Sequence, residues 1–150
     1  MVDKLNYSNV VSEGQTLLWG VFKNNAVLKD MTTNILDKEP ENFNRGTGYP
    51  LLIVPEPQIS ADDVVGLRKH HIVLFWNCVV YTLRTDVMRK MHMNMRSAIS
   101  TNRVLLASYG LNNFTAEGRT LPFPLDDGRM AYRSEFTVRA ETVVNGAPDD

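Results

Sequence analysis

A single cysteine, Cys78, rules out an intrachain disulfide, so the fold has to be held by its core. It stands in Phe75-Trp76-Asn77-Cys78-Val79-Val80, the setting of a small residue buried in a strand and not of a reactive thiol. Long apolar runs are missing as well. The longest, His71 to Tyr81, is interrupted by Asn77 and is too short to span a bilayer. The first residues, Met1-Val2-Asp3-Lys4-Leu5-Asn6, hold no apolar stretch of the secretory kind. The expectation is a protein made and used in solution, with no membrane partner. Charge of one sign is not in excess either: 16 basic against 17 acidic residues leave a net −1. Proteins that track phosphates release counterions with a basic surplus, so general affinity for nucleic acid is not expected.

Catalytic and metal-binding patterns are equally scarce. The three histidines are His70, His71 and His92. Adjacent residues of a strand point to opposite faces, so His70 and His71 cannot grip one ion together. His92 has no histidine or glutamate three or four residues away, and zinc needs three or four convergent donors. All three read as surface or boundary histidines. Gly46-Thr47-Gly48-Tyr49-Pro50 precedes a strand instead of opening a helix, so it is not a phosphate loop. Asp62-Asp63 and Asp126-Asp127 fall where turns are expected. No nucleophile elbow or Cys/His pairing is visible. The chain is expected not to be an enzyme, and to need neither metal nor cofactor.

What remains is ordinary globular material. The chain has 150 residues, 43% of them apolar, enough for one domain with a sizeable core. Ser8 to Leu28 carries apolar residues at roughly helical spacing, with Ser12 and Gln15 as a candidate capping box. Met31 to Asp37 is ambiguous, and Glu39 to Gly48 is rich in turn residues. Tyr49 to Val54 reads as a short buried strand closed by Pro55 and Pro57, followed by a connection through Ser60-Ala61-Asp62-Asp63. His70 to Thr82 is the strongest strand and is apolar on both faces, which requires a cover on each.

Leu83 to Ser100 is the strongest helix, with Leu83, Val87, Met88, Met91, Met95 and Ile99 as its apolar stripe. Val104 to Leu111 is short and apolar. Asn112 to Asp127, with Gly118, Pro122 and Pro124, reads as an extended loop ending in an Asp-Gly turn. Arg129 to Val144 alternates as a half-buried strand, and the last six residues form an acidic tail. The class expected is α+β: an antiparallel or mixed sheet packed against an N-terminal helix and a long central helix. It is one domain over residues 1–150, with loop arms at about 39–48 and 112–127 and a flexible C-terminal tail.

The charged residues offer an interface. Arg84, Arg89, Lys90, Arg96 and Arg103 give the long helix a positive outer face, while Asp37, Glu39, Glu41, Glu56, Asp62 and Asp63 supply acidic surfaces. Opposite patches on one chain suit a head-to-tail ring contact. Arg133, Glu135, Arg139 and Glu141, alternating on the last strand, make a second self-complementary candidate.

The order of elements resembles the tail terminator and tail-completion (tail-to-head joining) proteins of long-tailed phages. Tyr49-Pro50 matches the aromatic-proline pair that commonly opens the first main strand in that family. His70 to Thr82 followed at once by Leu83 to Ser100 looks like its strand-then-helix core, and Arg129 to Val144 like its closing strand. The resemblance implies a virion protein of the tail or neck, made in the host cytoplasm. It implies a ring, typically of six subunits, whose partners are further copies of itself, the tail tube protein and a head connector or head-completion protein. DNA would pass through its lumen without sequence readout. The alternative from another class is a small α+β enzyme or regulatory module that binds an anionic ligand through Arg84, Arg89 or Arg133.

Overall fold

A computed structural model describes residues 5–32, 34–38, 48–125 and 127–146. The architecture is a six-stranded mixed sheet covered on one face by helices. The helices are α1 (Val10–Lys23), α2 (Ala26–Met31), α3 (Thr85–Thr101) and α4 (Arg103–Tyr109). The strands are β1 (Asn34–Leu36), β2 (Leu51–Ile53), β3 (Gln58–Gly66), β4 (Lys69–Thr82), β5 (Asn112–Pro124) and β6 (Met130–Asn145). Strand order is β1-β2-β4-β6-β5, with β3 alongside the first half of β4. Only the β1–β2 pair is parallel. This is the α+β class expected.

β4 and β6 form the spine, paired without a break from Lys69↔Asn145 to Thr82↔Tyr132. Their helix-side residues, including Ile72, Leu74, Trp76, Phe136, Val138 and Ala140, are fully buried. They meet Leu18 and Phe22 of α1 and Met88, Met91 and Met95 of α3 in one apolar core. At about 25 cal/mol per Å² of apolar area removed from water, that contact is what holds the helices to the sheet. The second face of β4 finds its cover inside the chain at one end: Val79 and Tyr81 pack with Leu51, Ile53 and Phe123. No neighbouring subunit is needed there.

Several readings of the sequence are corrected. Asn112 to Pro124 is strand, not loop. Its residues 117 to 122 are all exposed, Gly118 having no side chain to bury under His92, so the apolar–polar period that announces a strand is absent. Pro122 and Pro124 are tolerated because β5 is an edge. Ser60 to Asp63 lies inside β3, which is exposed along almost its whole length and hidden from pattern for the same reason. The Ser12–Gln15 capping box does not form. α1 begins after Asn9 without a side-chain cap, and Gln15 instead donates to the carbonyls of Asp37 and Val54. Leu83 lies before α3 and is exposed, while His92 and Ala98 join the buried stripe. Val104 to Tyr109 belongs to α4, closed by Gly110 at φ 105°, a conformation glycine adopts without a Cβ penalty. Glu39, Glu41, most of the 39–48 arm and the acidic end of the tail lie outside the described residues.

Candidate functional site

α3 is 17 residues long and buries Met88, Met91, His92, Met95, Ala98 and Ile99. Its other face points away from the sheet, and there Arg89, Lys90 and Arg96 are exposed, as is Arg103 at the start of α4. Among the described residues none of these four has an ion pair. Arg84 differs: it precedes α3 and forms a two-point contact with Asp86 at 3.0 Å. Of the basic residues expected there, Arg84 is thus tied to Asp86, while Arg89, Lys90, Arg96 and Arg103 stand exposed.

Between α3 and β5 lies a groove of about 430 Å³ lined by Arg96, Ile99, Ser100, Arg103 and residues 113 to 116. Phe114 forms part of it and stacks on Trp76, ring centres 6.3 Å apart. A bulge in β5 shapes this end: Asn112 pairs with Glu141 and Thr115 with Arg139, so two residues stand opposite one. Asn113, at φ 57°, donates to Glu141 at 2.7 Å. Sequence reading missed the groove because half its lining comes from the segment taken for a loop. The cue available was Phe114 and Ala116 at a spacing of two.

The Arg133, Glu135, Arg139 and Glu141 face is already satisfied within the chain. Arg133 bonds Glu135 at 3.1 Å and Tyr81 at 3.2 Å. Arg139 reaches Glu141 at 3.4 Å, where His71 also approaches. The Asn113 bond first, then these cations, hold the Glu141 carboxyl below its usual range. Ion pairs this open to water and salt add little to stability.

The two β3 carboxylates part company. Asp62 accepts from Tyr7 at 2.8 Å and meets Nδ1 of His70 at 2.8 Å, and the Tyr7 bond is the largest cause of its lowered pKa. Asp63, its neighbour on the strand, is exposed on the opposite face, across from His71. Asp37 and Glu56 are exposed as well. The adjacent histidines behave as their alternation requires, each meeting a different carboxylate.

His92 is buried, against expectation. Its Nε2 shares a 2.7 Å hydrogen bond with the hydroxyl of Ser134, itself fully buried. The ring lies against Phe136, centres 5.1 Å apart, and directly over Gly118. Burial first, and the nearby Arg96 second, push its pKa below the usual 6.5. The unfolded chain therefore takes up this proton at higher pH than the fold does. His92 contributes stability that is complete above about pH 6.5 and is lost as pH falls from there toward the folded value. Asp62 and Glu141 act only nearer pH 4, from ordinary values of 3.8 and 4.5. Urea midpoints should thus fall between pH 7.5 and 5.5, and His92→Gln should flatten that slope. An unchanged slope in the variant would assign it elsewhere.

No family model matches this chain, and no curated protein matches it. Among solved structures it is similar to a chain of the "Virion of native gene transfer agent (GTA) particle". Identity is 13%, the match covers 85% of this chain and 93% of that one, and the TM-score is 0.47. A likeness this distant assigns no function. Among the described residues, no helix is long and apolar enough to cross a membrane, and no cluster of His, Cys, Asp or Glu could hold a metal ion.

Proposed function

We propose that this protein is a structural virion component of a tailed phage, a ring at the head–tail junction that ends the tail tube and joins it to the head connector. The observation that carries the reading is the pair of long strands on the flanks of the sheet. β3 and most of β5 are exposed on both faces, and exposed Val64, Val65, Leu67 and Leu121 stand on or beside them. So much ordered strand without a core of its own is surface made for contact. The element order supports the phage reading: a strand opened by Tyr49-Pro50, then the long β4, then α3 at once, then the closing β6. An enzyme finds less support, because the groove lining contains no carboxylate, histidine or thiol to act as a base.

In this reading the partners are further copies of the chain, the tail tube protein and the connector, with DNA passing through the lumen unread. The balanced charge of the Arg133–Glu141 face suits such a lumen, since paired charges give DNA no basic track to hold. Added to tail tube protein during polymerisation, the purified protein should cap growing tubes and shorten them. Tubes of unchanged length would remove the terminator role. If Arg96 and Arg103 instead serve a small anion, inorganic phosphate should bind the purified protein in calorimetry, and the tubes should not respond.

A further inference from the structure

The 39–48 arm and the α3–β5 groove belong to opposite edges of the sheet, and their chemistry is complementary. Nine residues, 39 to 47, join Lys38, just past β1, to Gly48, just before β2. β1 stands at one end of the strand order and β5 at the other. We infer that the 39–47 arm of one copy docks in the groove between α3 and β5 of the next, with Phe43 as its apolar anchor. The inference rests on the ring reading and names its contact.

Three features of the molecule converge on this contact. The first is reach. Phe43 is the middle residue of the arm, five residues from Lys38 and five from Gly48, so it extends at most about 17 Å from either root. In the same chain the groove is four strand spacings from β1, about 19 Å, and it opens on the helix side, with the helix layer in the way. The arm is too short to fill its own groove, yet long enough to cross the gap to a neighbour's.

The second is height. β1 ends at Leu36, on the row that runs through Ile53 and Val79, while Ala116 of the groove lies on the row of Val138 and Trp76. The two rows are three residues apart along β4, about 10 Å, which the arm spans. A copy placed beside the first by rotation about an axis along the strands keeps this height. No pairing between edge strands is required, and β1 keeps its place outside β2.

The third is chemistry. Phe114, Ala116 and Ile99 give the groove an apolar floor, Arg96 and Arg103 give it charge, and its lining contains no carboxylate. Neither arginine has an ion pair among the described residues. The arm carries the counterparts. Phe43 is its one large apolar side chain, and Glu39 and Glu41 precede it, against a single cation, Arg45, after it. An aromatic anchor flanked by charges opposite to those of its pocket is how a specific contact is built. Arm and groove are different surfaces of one chain, so the contact is heterologous and a rotation can close it.

The test is cysteine cross-linking, with Cys78 a silent background because it is fully buried. The double variant Asn42→Cys/Ala116→Cys, treated with a short bis-maleimide, should give a ladder of linked multimers. An equimolar mixture of the two single variants should give 42–116 dimers and stop there. Phe43→Ser in the double variant should weaken the ladder on the order of tenfold, the cost of a truncated aromatic anchor. Glu39→Arg/Glu41→Arg should weaken it as well, and adding Arg96→Glu/Arg103→Glu should restore it, a rescue that a merely loosened fold would not show. Scattering on the same samples separates the two ideas. Closed assemblies that form no 42–116 link and ignore the charge exchange overturn this contact and leave the ring standing. Links that grow into open chains keep the contact and overturn the ring. A monomer without cross-links overturns both.

Discussion

Phe136→Ala is expected to lower stability by about 3–5 kcal/mol, the range for truncating a fully buried aromatic. In a chain of this size that is a fall in melting temperature of roughly 6–20 °C. Phe136 is more than filler. It touches the His92 ring, lies opposite Gly118 on β5, and has the Arg96 guanidinium 5.2 Å above its face. Removing it opens a cavity where α3, β5 and β6 meet and frees Arg96 from the ring that positions it. Denaturation in urea gives the stability loss, and assembly of the folded variant gives the effect on the groove. A loss under about 1 kcal/mol would mean the site collapses without cost, contrary to the packing described.

Gly118→Ala should cost about 1–3 kcal/mol although alanine is otherwise a mild change. A Cβ at this position would stand 2.6 Å from Cε1 and 2.8 Å from Nδ1 of His92. The ring cannot simply swing away, since its Nε2 is held by Ser134 and its face by Phe136. The backbone of β5 therefore touches the imidazole, and only glycine allows that approach. The clash predicts coupling. In a His92→Ala background the added cost of Gly118→Ala should shrink to about 0.5 kcal/mol or less, within the scatter of independent sites. Equal costs in both backgrounds would show that Gly118 is required by the strand and not by the histidine.

The parts of the fold that were legible in the sequence are those whose burial is one-sided or complete. β4 and β6 showed because their residues alternate or are uniformly apolar, and α3 because its methionines recur at helical spacing. β3 and β5 did not show, since strands exposed on both faces carry no periodic signal and contain glycine, proline and aspartate as loops do. The groove was lost with β5. The basic charge of α3 was legible, but its division into Arg84, spent on Asp86, and Arg89, Lys90, Arg96 and Arg103, which have no ion pair among the described residues, depends on contacts no spacing encodes. His92 misled for a related reason: its partner Ser134 is 42 residues away on β6.

A ring at the head–tail junction requires self-assembly. Light scattering on the purified protein over a range of concentrations, with images of the same particles, measures it most directly. The prediction is a closed ring of about six copies whose mass stops growing with concentration, as a heterologous contact that closes requires. A monomer at every concentration, still monomeric beside tail tubes, would contradict it.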